Sequence, residues 1–505
     1  MRVTNNMIMK SSTNNVNATK VNVNEKNNQM TTNKKISRPS EDPVVAIRSL
    51  RLSTTLNKLD QYVDKNIPDA ASWLEVTETA ILNMKSLVTD VRTQCVNGST
   101  GTLTADDRNT ILSQLEALQK QMYSEGNADY AGRTVFTGYR TNSTLTFTSD
   151  EAATNYNIVE SFSAVEDLSE MRYYDGEVEV PSTPAGVIGD TISDITETVY
   201  NRIRLPYNDI DKVKAIKYTP NGGTETDFNM SKVHIYDNEE EWSADVGAKT
   251  VADDEIVVIK STGELIMGDT IATTLKQNKA AISVNYDKTG FKQGELRPEF
   301  YYNCTDNTNP LDPVTYTRYD DEGELIRFDI EYNVAANQNL GVNIEAIDVF
   351  DSELIQDVNG MVDAVNAAIN AHDKVDKIKS MMKENQYSTE AYQEKLQEWL
   401  EAAQKEADYY DDNIQKLFSE TIGKADSYLS NINLAVTKIG CKSDQLSITQ
   451  DRVGNQQTTV SELQSNNDDV DLSQIILEYT SAYTAYQSSL TAASKLGQVS
   501  LLQYI

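Results

Sequence analysis

The chain is poor in the residues that build catalytic and metal centres. Its 505 residues include only two histidines and three cysteines. His234 and His372 lie far apart, and neither has a second histidine at ligand spacing, so each is expected as a surface or core residue. The odd number and wide spacing of Cys95, Cys304 and Cys441 exclude a disulfide framework and a CxxC metal or redox motif. A single pair or three small buried hydrophobes remain open. HExxH, GxxxxGK(S/T), GxSxG and a helix-opening GxGxxG are all missing. Asp306, Asn307 and Asn309 resemble the start of a calcium loop, but the Gly and distal Glu that such a loop needs are not in place. No catalytic residue, metal site or cofactor is therefore expected. No apolar run reaches the ~20 residues that span a bilayer. The opening MRVTNNMIMKSSTNN holds neither a continuous apolar stretch nor a small-residue cleavage site, so no cleaved secretory signal is expected.

Positive charge is scarce too. The balance of 45 Lys and Arg against 77 Asp and Glu gives −32, which argues against nucleic acid and anionic membranes as partners. The distribution is uneven: residues 1–40 carry seven bases and one acid, whereas residues 141–345 carry 38 acids and 16 bases. The acidic middle reads as a solvated outer surface. Clusters such as Asp253-Asp254-Glu255 read as solvated turns and nominate no glycosidase-type acid pair.

What the chain has in quantity is seven-residue apolar patterning at both ends. From Val45 the spacing alternates four and three through Ser49, Leu52, Leu56, Leu59, Val63, Asn66, Ala70, Trp73, Thr77, Ala80, Met84, Leu87 and Val91, with eleven of fourteen positions apolar. Leu74, Ile81 and Val88 widen that face. The rhythm returns through Ile422, Ala425, Leu429, Ile432, Val436, Ile439, Leu446 and Val453. It appears again in Leu472, Ile476, Tyr479, Tyr483, Tyr486, Leu490 and Ala493. Helices written this way bury a narrow stripe against another helix. Stripes at both ends of one chain invite the ends to pair. The first forty residues hold ten Asn and only one apolar position per heptad: Met9, Val16, Val23 and Met30. Such an arm is a poor autonomous helix and needs a partner to complete its seam.

Punctuation refines this. Asp42 can cap a helix that starts with Pro43. Pro68 should kink or interrupt the first long helix. Thr104 and Asp107 make a weaker version of a capping box for a second helix that ends near Gly126. From Thr141 the period changes, and tracts such as 145–147, 255–259, 281–286 and 326–332 read as strands. Helical patterning resumes near Ile347, with a break between Asn385 and Ser388.

The expected fold is α+β: a long helical-bundle or coiled-coil rod built from both chain ends, with a β-rich domain inserted in the middle. Residues 1–41 are a disordered-to-helical assembly arm, and 42–140 the first half of the rod. Residues 141–345 are the acidic β-rich outer insertion. Residues 346–470 are the second half of the rod with an extra helical pair, and 471–505 a terminal assembly helix. Candidate rod-core residues are Leu52, Leu56, Leu59, Trp73, Met84, Leu87, Leu429, Ile432, Val436, Ile439, Leu446 and Val453. Candidate assembly residues are Met9, Val16, Val23, Met30, Leu472, Ile476, Tyr479, Tyr483, Tyr486, Leu490, Leu501 and Leu502.

The punctuation also carries a resemblance. Arg2-Val3-Thr4, the run from Lys35 to Pro43, Asn127, Gly132-Arg133, Phe136 and Gly138-Tyr139 resemble the N-terminal region of the hook-associated protein 3 family, the hook–filament junction proteins of the bacterial flagellin superfamily. Ile439-Gly440-Cys441-Lys442, Val470-Asp471-Leu472, Ala485-Tyr486-Gln487 and Ser500–Ile505 resemble its C-terminal region. Flagellins typically carry an Asp-Asp-Ala-Ala-Gly-Leu type of run where this chain has Glu41-Asp42-Pro43. The chain departs from the family at Pro68, at Cys441, in an extra helical pair over 372–413 and in a longer middle.

The resemblance implies a non-enzymatic structural protein of the extracellular flagellum, exported through the flagellar type III channel with an export chaperone. Its implied partners are hook-associated protein 1, flagellin and its own copies, in a ring of about a dozen subunits. The alternatives are a flagellin subunit of the filament, or a scaffold that displays a glycan-binding or hydrolytic middle domain.

Overall fold

The computed structural model describes residues 5–100, 103–193, 195–246, 249–320 and 323–498. Four helices come first: α1 (Asn5–Thr32), α2 (Pro43–Gln61), α3 (Ile67–Gly98) and α4 (Ala105–Gly126). Strands β1 (Asp129–Tyr130) and β2 (Arg133–Thr134) follow, then β3 (Glu151–Ser163), β4 (Ser169–Asp175) and α5 (Pro184–Gly189). Next come β5 (Thr196–Arg204), β6 (Lys212–Thr219), β7 (Thr226–Asp227), β8 (Val233–Tyr236), α6 (Glu239–Val246), β9 (Ile256–Ile259) and β10 (Glu264–Met267). The middle ends with α7 (Asp269–Gln277), β11 (Ala281–Phe291), β12 (Asn303–Asp306), β13 (Val314–Tyr316) and the hairpin of β14 (Glu331–Ala335) and β15 (Gln338–Gly341). Three helices close the chain: α8 (Ser352–Met381), α9 (Glu390–Asp468) and α10 (Leu472–Gln498). Among the described residues no helix is long and apolar enough to cross a membrane.

The helix starts follow their local chemistry. The Asp42 carboxylate accepts from the amides of Val44 and Val45, with Pro43 at the first helical position. Thr104 and Asp107 satisfy each other's backbone amides in a capping box. Pro68 does not end its helix. The turn before it, Tyr62–Asn66, widens to π geometry, and the amide of Ile67 bonds back five residues to the carbonyl of Tyr62. The wide turn moves the preceding carbonyls away from the proline ring, so helical direction continues at the cost of regular bonding. No such device interrupts α9, which runs unbroken for 79 residues.

The chain divides into two compact units. The first comprises Met1–Ala71, Tyr332–Leu340 and Asp444–Ile505. Here α2 runs antiparallel to the end of α9: Ser49 donates to Asp468 at 2.7 Å, and Gln457 donates to Asp60 at 2.7 Å. The β14–β15 hairpin is tied to the wide turn after α2, through Asn66 to the carbonyl of Asn333 at 2.7 Å, and to α9, through Gln338 to Thr449 at 3.0 Å.

The second unit, Ser72–Glu331 and Gly341–Ser443, holds a helical bundle and two sheets. Trp73, Thr77, Ala80, Met84, Leu87 and Val91 of α3 are buried, as are Leu74, Ile81 and Val88 beside them. Arg92 pairs with Asp426 at 2.7 Å, Arg108 with Asp411 at 2.8 Å, and the buried Cys95 thiol touches Met361 sulfur at 3.4 Å. The extra helical pair is the turn from α8 into α9. Its apolar face, from Ala371 to Ala407, is covered by Val178, Val187 and Ile195, and the Trp399 indole donates to the carbonyl of Val187 at 3.2 Å.

One sheet has the order β13-β12-β3-β11-β6-β7 and is antiparallel throughout. Tyr156, Ile158, Glu160 and Phe162 of β3 point alternately inward, as a two-residue period requires. The other has the order β4-β5-β10-β9-β8, antiparallel except for the parallel pair β8–β9. Every residue of β9 and β10 is buried, which accounts for the all-apolar β9 and for Leu265–Met267, while the buried Glu264 is paired with Arg202.

Two strand expectations need correction. Leu145–Phe147 is extended, and its backbone bonds to Gly294, Glu295 and Arg297, but the pairing amounts to one isolated bridge. In 326–332 a strand begins only at Glu331. The amides of Phe328 and Ile330 are instead satisfied by the side chains of Glu345 and Asn343, and only the ends of the tract bond to backbone, the Ile326 amide to the carbonyl of Arg318 and the Ile330 carbonyl to the amide of Val342. The three cysteines are free: Cys95 and Cys304 are buried and Cys441 is exposed.

Candidate assembly surface

In the first unit the two chain ends pair. The helices α1 and α10 run antiparallel: Lys34 meets Asp469 at 2.5 Å, Lys26 meets Glu478 at 2.8 Å, and the Thr19 and Ser489 hydroxyls lie 3.0 Å apart. The connections are pinned together. The Lys35 amide donates to the carbonyl of Asp468 at 2.7 Å, its ammonium reaches the carbonyl of Asn466 at 2.5 Å, and the Gln29 amide bonds the carbonyl of Lys35 at 2.7 Å. Lys34, and then Ser465, hold the Asp469 carboxyl below its ordinary range, and Lys26 does the same for Glu478.

The half-filled seam of α1 now has a physical account. Val16, Val23 and Met30 are half-buried along one column of the heptad, while Met9 is half exposed at 50%. The second column is polar: Thr19 and Lys26 fill it and are matched across the pair by Ser489 and Glu478. Polar groups at seam positions fix register at the expense of stability.

On α10 the inward column differs from the expected one by a single residue. Ile475 and Ala482 are buried at 3% and 9%, and Ser489 follows seven residues on. Tyr479 and Tyr486 are half-buried beside them, with Tyr479 stacked on Tyr483 at 6.1 Å. Leu472, Ile476, Tyr483 and Leu490 face outward instead, exposed at 54, 46, 43 and 42%. The pairing face thus uses residues that sequence reading passed over. Their signal was a second seven-residue series through Ile475, Ala482 and Ser489. The outward series remains an apolar stripe that nothing among the described residues of the first unit fully covers. Leu501 and Leu502 lie outside the described residues.

The candidate rod residues fall in both units. In the first, Leu59, Leu446 and Val453 are buried, and Leu52 and Leu56 half-buried. In the second, Trp73, Met84, Leu87, Ile432 and Ile439 are buried, whereas Leu429 and Val436 are half-buried. Their deeply buried neighbours are Tyr428 and Ala435, again one residue earlier. The Tyr428 hydroxyl donates to Asp357 at 2.8 Å, which gives a reason for that side chain to take the inner place.

The chain is thus of a class in which two long helical ends pair and flank an inserted middle, and both ends match known protein families. The bacterial flagellin N-terminal helical region matches residues 3–141, and the bacterial flagellin C-terminal helical region matches residues 422–505. The two matches lie at the helical ends and together cover less than half of the chain. The chain is also similar to flagellar hook-associated protein 3 of Escherichia coli, 29% identical over 114 residues, and of Salmonella typhimurium, 28% identical over 114 residues. Each match covers 22% of this chain and 36% of the relative, so the chain spans about a third of the length of the curated relatives it matches. The crystal structure of flagellar hook-associated protein 3 from Legionella pneumophila aligns over 82% of this chain and 98% of that one, at 11% identity and a TM-score of 0.31, too loose to establish a common fold.

Proposed function

We propose that this chain is a structural, non-enzymatic subunit of the bacterial flagellum that joins the hook to the flagellin filament. The observation that carries the reading is the two-faced terminal helix. Its inner face is occupied by the arm of the same chain, and its outer face presents Leu472, Ile476, Tyr483 and Leu490 to a neighbour. An apolar series of this kind on a register-fixed helix pair suits lateral contact with further helix pairs. The neighbours in this reading are further copies in a ring, hook-associated protein 1 on the hook side and flagellin on the filament side. Export without a cleaved leader and escort by a flagellar chaperone belong to the same proposal. Pro39-Ser40-Glu41-Asp42-Pro43 favours the junction role over that of a filament flagellin, and copy number per flagellum separates the two.

The test is genetic. Deleting residues 471–505 should permit export and block assembly, so that flagellin appears in the medium. The substitutions I476D and L490D should do the same while leaving α1 paired with α10. Normal filaments on the deletion strain would refute the proposal.

A further inference from the structure

The second unit carries an open groove of about 390 Å³ that the assembly role does not use. It lies where the end of β4 (Tyr174, Asp175) meets α6 (Glu240, Ser243) and the face of α9 at Glu406, Tyr409 and Tyr410. One wall is aromatic. Tyr174 stacks on Tyr409 with centroids 5.2 Å apart and planes 13° from parallel, and Tyr410 meets Tyr174 edge-on at 5.6 Å. The Tyr174 hydroxyl is buried and makes no hydrogen bond within the described residues.

The charge is one-sided. Asp175, Glu177, Glu240 and Glu406 line the groove against a single lysine, Lys249. The ammonium groups in reach are already engaged: Lys249 with Glu239 at 2.5 Å, and Lys374 with Glu177 at 2.5 Å and Glu406 at 2.9 Å. Lys405 donates to the carbonyl of Ile195 at 2.9 Å with its ammonium 5.7 Å from the Tyr409 ring centre, so the rim already holds one cation over a tyrosine face. The Tyr410 hydroxyl is pushed up to about 12, first by burial and then by Glu406, Glu239 and Glu177. A cleft with an excess of one sign concentrates ligands of the other.

We propose that this groove binds an organic cation, a primary ammonium or guanidinium group carried on an aliphatic stem. The tyrosine rings take the stem, and the carboxylates of Asp175 and Glu240 take the charged head. A bare metal ion would leave the rings unused, and among the described residues no group of three His, Cys, Asp or Glu side chains could hold one. The proposal is independent of the assembly reading.

Calorimetric titration of the full chain with spermidine tests it, alongside a neutral α,ω-diol of similar length. Spermidine should bind at one site and the diol should not. The substitutions E240Q and Y409L should each weaken spermidine by about two- to fivefold, and together by about tenfold, as expected for one solvent-facing carboxylate and one cation–ring contact. Glu240 is an exposed helix residue, so E240Q keeps the test valid if Y409L alters the melting curve. Three results would overturn the proposal. They are no spermidine binding, equal binding of the diol, and spermidine affinity unchanged in the double variant, which would put the cation elsewhere on the acidic surface.

Discussion

Gly98, the last residue of α3, is packed hard against α9 in the helical bundle of the second unit. A Cβ added there would lie 2.8 Å from Cδ2 and 2.9 Å from Cε2 of Phe418. Carbon atoms in packed interiors sit about 3.5–4.0 Å apart. Phe418 is fully buried, so its ring has no solvent to swing into. The substitution G98A must therefore shift the ring or separate α3 from α9, which costs ~1–3 kcal/mol. Alanine's better helix preference returns ~0.5–1 kcal/mol. The net loss should be about 1–2 kcal/mol.

The partner substitution F418L removes the clashing ring edge and alone should cost on the order of 1 kcal/mol through the space it leaves. If contact with the ring is the cause, the double variant should be less damaged than the sum of the two by about 1 kcal/mol. Urea unfolding followed by tryptophan fluorescence is the assay. Trp73, Trp242 and Trp399 are all buried in the second unit, so the signal reports on that unit alone. The midpoint should fall with the slope unchanged. A G98A protein as stable as the parent, or strictly additive losses, would refute the reasoning.

Two further outcomes are expected. Burial, foremost, raises the Glu353 carboxyl from 4.5 to about 7 and lifts Glu160 well above its usual range, with Asp167 and Asp351 also displaced upward. The folded state then binds more protons than the unfolded state between those limits, so stability present below about pH 4.5 should be lost as pH rises through about 7. Urea midpoints measured across that range should show the decline, and E353Q should flatten it. Arg318 and Glu345 form a buried ion pair at 2.9 Å. R318M leaves the buried Glu345 carboxylate only Arg327, at 3.8 Å, and should cost about 3 kcal/mol, while adding E345Q, which removes the charge and keeps an acceptor for the Phe328 amide, should recover most of the loss in the same unfolding assay.

The helical ends were legible because their patterning is long and repetitive, and capping at Asp42 and Thr104 was readable from single residues. Which column faces inward was less so. Where apolar or small residues occupy three adjacent columns, as at Tyr428, Leu429 and Ile432, the partner decides which two are buried. On α10 the same ambiguity moved the pairing face from Ile476 to Ile475. The middle was legible only as β-rich. Strand order depends on pairings distant in sequence, such as Ile158 with Tyr286 and with Cys304, and no local pattern encodes them. The tract at 326–330 has strand composition, yet the amides of Phe328 and Ile330 go to the side chains of Glu345 and Asn343, an arrangement that periodicity cannot register. The groove beside Tyr174 was invisible for the same reason, since its walls are brought together from three separated segments.

Cys441 has a practical consequence. The other two thiols are shut away, and burial pushes Cys95 up to about 12 and Cys304 higher still. The native chain therefore offers one addressable sulfur, and a maleimide dye applied before assembly should attach a single fluorophore per subunit. The brightness of one labelled flagellum, divided by that of one labelled molecule, becomes a census. A ring would give a faint spot at the base of the filament, and a filament subunit a bright line along its length.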